Sequence, residues 1–237
     1  MTPFRLWVYL QTAPLFWLTA TLAAFLVAEA AARAARRHPL ANPVAIAIIL
    51  LGALLGLTGT DYQTYFNGAQ FVHFLLGPAT VALAVPLYRN LALIRRNLLP
   101  IVAALAVGST TAILSAVLVA KALGAPRAAL ISIAPKSVTA AVAMSVSETL
   151  GGAPSLTAVL VIATGILGAV MATPLMNALG VRDYAARGFA VGLASHGIGT
   201  ARAFSVDPVA GVFAGLAMGL NAIVTPAIVP ALLAWLL

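Results

Sequence analysis

The chain has no cysteine among its 237 residues and only five acidic side chains. The first absence excludes disulfides, thiol catalysis and thiolate metal sites. Charged residues make up 8% of the chain, where soluble domains carry roughly a quarter, so a water-exposed surface cannot be covered. Aromatics are scarce and nowhere alternate with basic residues, so the net charge of +8 is not a nucleic-acid footprint. There is no HExxH, no Walker loop and no Rossmann fingerprint. No metal or cofactor is therefore expected. An enzyme is not expected either, because no nucleophile–base pair has convincing spacing. Ser195 and His196 are adjacent, which on a continuous helix turns them about 100° apart.

What remains is apolar: 62% of the residues are hydrophobic. Runs near 20 residues recur from end to end, the length of a helix crossing lipid. They do not alternate apolar with polar, which argues against a β-barrel. The expectation is an all-α, polytopic membrane helix bundle forming one integral domain over residues 1–237, multi-pass in the cell inner (plasma) membrane. About seven to eight segments are expected, near 6–30, 43–60, 68–88, 98–122, 127–149, 154–178, 185–204 and 208–236. Asn42-Pro43 and Asp207-Pro208 place a capping side chain before a first-turn proline, and Asp183 is a third cap. The first run is too long for a signal peptide and its basic cluster follows it, so it is expected to be an uncleaved span.

Glycines recur at four-residue spacing: Gly52 and Gly56, Gly188 and Gly192, and Gly211, Gly215 and Gly219. Such stripes let helices pack closely in lipid. Three segments are interrupted by helix breakers or polar residues: "LLGPATVALAVPLY", "SIAPKSVTAAVAMS" and "ASHGIGTARAF". Gly77 and Thr80 in the first match Gly197 and Thr200 in the last, suggesting an internal repeat of about 120 residues. Paired interrupted helices are a sequence pointer to a transport site. Basic residues cluster at Arg33–Arg37, Arg89–Arg96 and Arg182–Arg187. If all mark cytoplasmic loops, eight full crossings put the last cluster on the wrong side. One segment is therefore expected to turn back, and the "APKS" segment is the candidate; an imperfect charge rule is the alternative.

Candidate binding residues are Lys136, Ser137, Thr139, Ser195, His196, Gly197, Thr200, Arg202 and Asn221, with Thr80 from the first interrupted segment. A charge at membrane depth costs at least about 2.5–3.5 kcal/mol, so such residues usually face a cavity, ion or ligand. Lys136 and Arg202 together would form an anion site, strengthened by half-helix N-termini. The alternative for both is snorkelling or pairing inside the bundle. His196 is either a packed imidazole or a proton carrier. The absence of an aromatic box favours a small polar ligand, with a carboxylate preferred over phosphate.

The stretches "APKSVTAAVAMSVSETLGGAPSLTAVLVIATGILGAV" and "RGFAVGLASHGIGTARAF", with "LLGPATVALAVPLY", resemble the LrgB/CidB family over nearly the whole chain after the first segment. The resemblance implies transport of small 2-hydroxy or 2-oxo monocarboxylates (glycolate, glycerate, lactate or pyruvate), as in the similar plastid glycolate/glycerate transporter. Proton coupling at His196 is a separate expectation, resting on an imidazole that titrates in the physiological range beside an anion site. The alternative it carries is a holin-like or anti-holin-like regulator of murein hydrolase activity and autolysis. A small LrgA-like membrane partner is the assembly it suggests; a homodimer and contact with membrane lipid are further expectations.

Overall fold

In a computed structural model, residues 13–237 are described apart from 39, 76, 77, 79, 80, 83 and 90. Gly77 and Thr80, the first half of the expected repeat, lie outside the described residues. The described chain is helical, without strands, and divides into two compact units, residues 1–84 and 85–237.

The first unit holds α1 (Pro14–Ala34), α2 (Pro43–Thr58) and α3 (Tyr62–Phe74). Asn42 caps α2 as expected, its Oδ1 accepting from the N–H groups of Val44 and Ala45. Trp17 is wholly buried and meets Tyr65 edge-on at 5.8 Å. A Cβ at Gly68 would collide with the Pro14 carbonyl, so α1 and α3 approach backbone to backbone there. Gly52 and Gly56, by contrast, have nothing within 4 Å, and the expected close packing at this pair is absent within the described residues. Glu29 is held by Arg37 at 2.6 Å and Arg33 at 3.8 Å. The Thr64 hydroxyl and N–H hold the exposed Asp61 carboxyl below its usual range.

The second unit begins with two short helices, α4 (Ala84–Arg89) and α5 (Leu91–Arg96). Three long helices follow: α6 (Leu98–Ala122), α9 (Pro154–Ala178) and α11 (Pro208–Leu236). With α1, these are the four described helices long and apolar enough to cross a bilayer. This falls short of the seven to eight expected segments. Helices α6 and α11 run side by side in the same direction. Ile101 and Leu105 share a core with Val212 and Phe213. Ile113 and Val117 share another with Val229 and Leu233. Lys121 Nζ donates to the Leu236 carbonyl.

The remaining two elements are hairpins. The first is α7 (Arg127–Ile133), a turn at 134–139, and α8 (Ala140–Thr149). Proline at 135 denies the helix a donor and clashes with the preceding turn, so the break falls there. Arg127 donates to the Leu237 carbonyl, and Leu130 and Ile131 pack with Leu233 and Leu236, placing the base of the hairpin at the C-terminal end of α11. The chain then comes back. Ser132 Oγ accepts from the Ala153 N–H at 2.8 Å, and a Cβ at Gly152 would meet both Ser132 and Ser147. A straight path would carry residues 132 and 147 more than 20 Å apart.

The second hairpin is α10 (Tyr184–Val206), capped by Asp183 and broken at His196, where φ is 41° and ψ is −135°. Before the break α10 runs parallel to α11: a Cβ at Gly188 or Gly192 would collide with the backbone of Ala210 or Ala214. After it the direction reverses, since Phe204 covers Gly211 while Thr200 reaches Met218. A Cβ on Gly199 would lie 2.9 Å from the Val191 carbonyl, impossible eight residues along a straight helix. The stripe from Gly188 to Gly211 is thus a packing seam, whereas Gly219 has nothing within 4 Å.

The expected turning segment at "APKS" does turn back, and so does α10, beyond the long pass of α9. Between Arg96 and Arg182 the chain makes two long passes, α6 and α9, around one hairpin. Asn97 and Asp183 consequently line one groove, and the basic residues that flank them share one end of the unit. The charge pattern that conflicts with eight crossings agrees with this path.

Candidate functional site

The two hairpin tips meet at Asn221, near the middle of α11. Reversal at His196 leaves the last carbonyls of the first half of α10 without their N–H partners four residues on. Leu193 is one of these, and Asn221 Nδ2 donates to its oxygen at 3.1 Å. The same nitrogen donates to the Ser137 carbonyl, in the turn of the other hairpin, at 3.4 Å. Asn221 Oδ1 accepts from Ser109 Oγ of α6 at 2.8 Å and from Thr225 Oγ1 at 2.9 Å. A carboxamide has two donors and two acceptor positions, so Asn221 is fully used. It is 1% exposed, and no buried polar group is left over at this node.

His196 occupies the opposite side of its tip. Its Nε2 lies 3.0 Å from the Val161 carbonyl of α9. A carbonyl only accepts, so Nε2 carries the proton and a second proton would go to Nδ1. The ring fits because α9 has no side chain at Gly165, and Ser195 fits because there is none at Gly168. The positive φ of His196 is a conformation that an L-residue adopts at a cost of about 1–3 kcal/mol and that clusters at functional sites. Thr200 Oγ1 donates back to the His196 carbonyl at 2.8 Å.

Residues 134–139 are non-helical, as expected for Pro135-Lys136. In the interrupted stretch "ASHGIGTARAF" the distortion sits at His196, and Gly197–Thr200 form the first turn of the returning half-helix. A glycine after the break does not show that the preceding histidine takes the unusual φ. Lys136 is half-buried, its Nζ donating to Ser137 Oγ at 3.4 Å. Thr139 stands at the N-cap of α8 without a side-chain cap bond. Each tip therefore offers one helix N-terminus, that of α8 and that of the returning half of α10, with N–H groups that no helical carbonyl accepts.

Arg202 is placed elsewhere. It lines a cleft with Arg187, Thr173 and Tyr184 toward the basic end of the unit, six residues past the break. The expected pairing of Lys136 with Arg202 at one depth is not formed by any described contact. Helical spacing alone does not reveal this, because the direction of the chain after His196 decides it. Thr80 lies outside the described residues. Sequence reading missed Ser109 and Leu193; the first carries no motif, and a backbone carbonyl leaves no trace in residue type. Among the described residues no group of three His, Asp or Glu side chains could hold a metal.

The LrgB-like family matches residues 21–235, and the chain belongs to it. The uncharacterized protein YwbG of Bacillus subtilis is 38% identical over 79% of this chain and 83% of its own length. The holin-like protein CidB of Staphylococcus epidermidis is 31% identical over 79% and 82%. An uncharacterized protein of Haemophilus influenzae is 34% identical over 78% and 80%. No solved structure matches. The family and the apolar helices together make this a membrane protein.

Proposed function

We propose that this LrgB-like protein is a secondary carrier of small monocarboxylates of the 2-hydroxy or 2-oxo type. The observation that carries the reading is Asn221, which binds one carbonyl from each of two hairpins that start at opposite ends of α11. Discontinuous helices meeting at mid-depth are the usual form of a solute site in secondary transporters. Two half-helix N-termini and the Lys136 ammonium favour an anion there. Ser137, Thr139 and Thr200 are near enough in sequence to the breaks to bond a hydroxyl or keto oxygen. Each hairpin is followed by a long helix, 127–178 and 184–236, and their opposite directions fit an inverted repeat. His196, with Nδ1 as its remaining proton site, is assigned the coupling role. The basic end carrying Arg95, Arg96 and Arg182 is assigned to the cytoplasmic side of the plasma membrane.

A second reading has its own support. Relatives that bear the name holin-like protein CidB favour a holin-like role over carboxylate transport. On that reading the protein acts through assembly, with further copies or with an LrgA-like partner.

Proteoliposomes separate the two. Labelled glycolate, glycerate, lactate and pyruvate are offered with and without a pH gradient, while release of an encapsulated neutral dye is followed. Saturable uptake without dye release supports the carrier. Dye release with no saturable uptake of any of the four acids removes it in favour of the holin-like role.

A further inference from the structure

Between α6 and the first half of α10 lies an open groove of about 350 Å³, separate from the hydrogen bonds that Asn221 makes. Small residues make up much of its lining: Ala104, Gly108, Ala186 and Ala190 line it with Phe189, Leu193 and Phe213, the Leu193 side chain lying against Gly108. It runs along α6 from Asn97 to Gly108, about 16 Å at the rise of an α-helix. That is half of the ~30 Å hydrocarbon core, the depth of one leaflet. The groove starts at the basic end, where Arg95, Arg96 and Arg182 are all exposed beside it in sequence. Asp183 also lines the mouth, but its Oδ1 accepts from the Ala185 N–H at the start of α10, so that charge is turned to the helix N-terminus.

We propose that this groove is a binding site for an anionic phospholipid. One acyl chain lies along Ala104, Gly108, Ala186 and Ala190, and the phosphate is held by Arg95, Arg96 and Arg182. The small floor residues make a channel of chain width, its length matches one leaflet, and the charge stands only at the headgroup end. Basic pockets between membrane helices on the cytoplasmic side recognise anionic headgroups in this way. The site is independent of what the protein carries.

The test is native mass spectrometry of the detergent-purified full chain with phosphatidylglycerol or phosphatidylcholine added. Phosphatidylglycerol should be retained selectively. Each arginine replaced by glutamine should weaken its retention roughly fivefold, so R95Q/R96Q/R182Q should lose about a hundredfold. Ala190→Phe, which fills the exposed floor without touching the arginines, should reduce retention of both lipids. Equal retention of the two lipids by the unmodified protein overturns the proposal. So does unchanged phosphatidylglycerol binding in both variants. If Ala190→Phe instead dissociates a dimer while leaving lipid retention intact, the occupant is a second copy and the lipid assignment fails.

Discussion

The two hairpins reach the same asparagine by different chemistry. The one at 127–149 turns over six residues around Pro135 and is fastened to α9 by hydroxyls: Thr157 Oγ1 donates to Ser147 Oγ at 2.7 Å, and Ser132 Oγ bonds Ala153. The one at 184–206 turns on His196 alone and is fastened by the absence of side chains, at Gly188, Gly192 and Gly211 against α11 and facing Gly165 and Gly168 of α9. A polar latch holds by a few bonds that can be exchanged singly. A glycine seam holds by backbone proximity, and any added atom opens it along its length. The second hairpin should therefore be the less tolerant of substitution and the first the easier to loosen.

The largest effect should come from the seam. Gly192→Val drives a side chain into the Ala214 backbone and should cost about 3 kcal/mol or more. Thermal unfolding in detergent checks this, with Gly56→Val as the matched control expected within about 0.5 kcal/mol of the unmodified protein. Equal losses in the two would mean that the seam is not what holds α10 to α11.

Next is the element both hairpins share. Asn221→Leu leaves the Leu193 carbonyl and the Ser109 hydroxyl without their partner and should cost about 2–3 kcal/mol. Hydrogen exchange should rise at both tips, near 137 and near 193–197, in the same variant. A rise at only one tip would show that the asparagine belongs to one hairpin and not to both.

Loosening the latch should be milder and local. Ser147→Ala removes one buried hydroxyl pair and should cost about 1 kcal/mol. Exchange should increase across 140–149 while 197–206 is unchanged. If the second hairpin opens equally, the two move as one body and the contrast between them disappears.

The smallest net effect is expected at the sharp turn itself. His196→Gly relieves a strain of about 1–3 kcal/mol but loses a hydrogen bond worth about 1 kcal/mol and adds backbone entropy of about 0.5–1 kcal/mol. His196→Ala loses the bond and keeps the strain. The glycine variant should melt above the alanine variant, and the reverse order would mean that the positive φ is not strained in place. Uptake measured in both then tests the proton role, since neither can carry a proton at this position.

Much of this was legible without coordinates. The membrane class follows from too few charges to cover a surface. The break at Pro135 follows from a missing donor and a ring clash, and the caps at Asn42, Asp183 and Asp207 from side-chain oxygens placed before a helix start. The candidate site residues stand out in the sequence because polar groups are conspicuous in an apolar chain. Their grouping was only half visible: Ser137 and Asn221 do meet, while Arg202 stands apart in a cleft with Arg187. Residue type and spacing are local quantities, and they determine where a helix starts and where it fails. They do not determine where the chain goes next, because a helix that continues and one that returns have the same composition at the break. That choice was made by contacts from far along the chain. Val161 holds His196 from 35 residues away, and Asn221 holds Ser137 from 84. The glycine seam exists only once two helices lie side by side. The direction of the chain after each break, and with it the meeting of the two tips, was decided by these tertiary contacts, hydrogen bonds and backbone packing together.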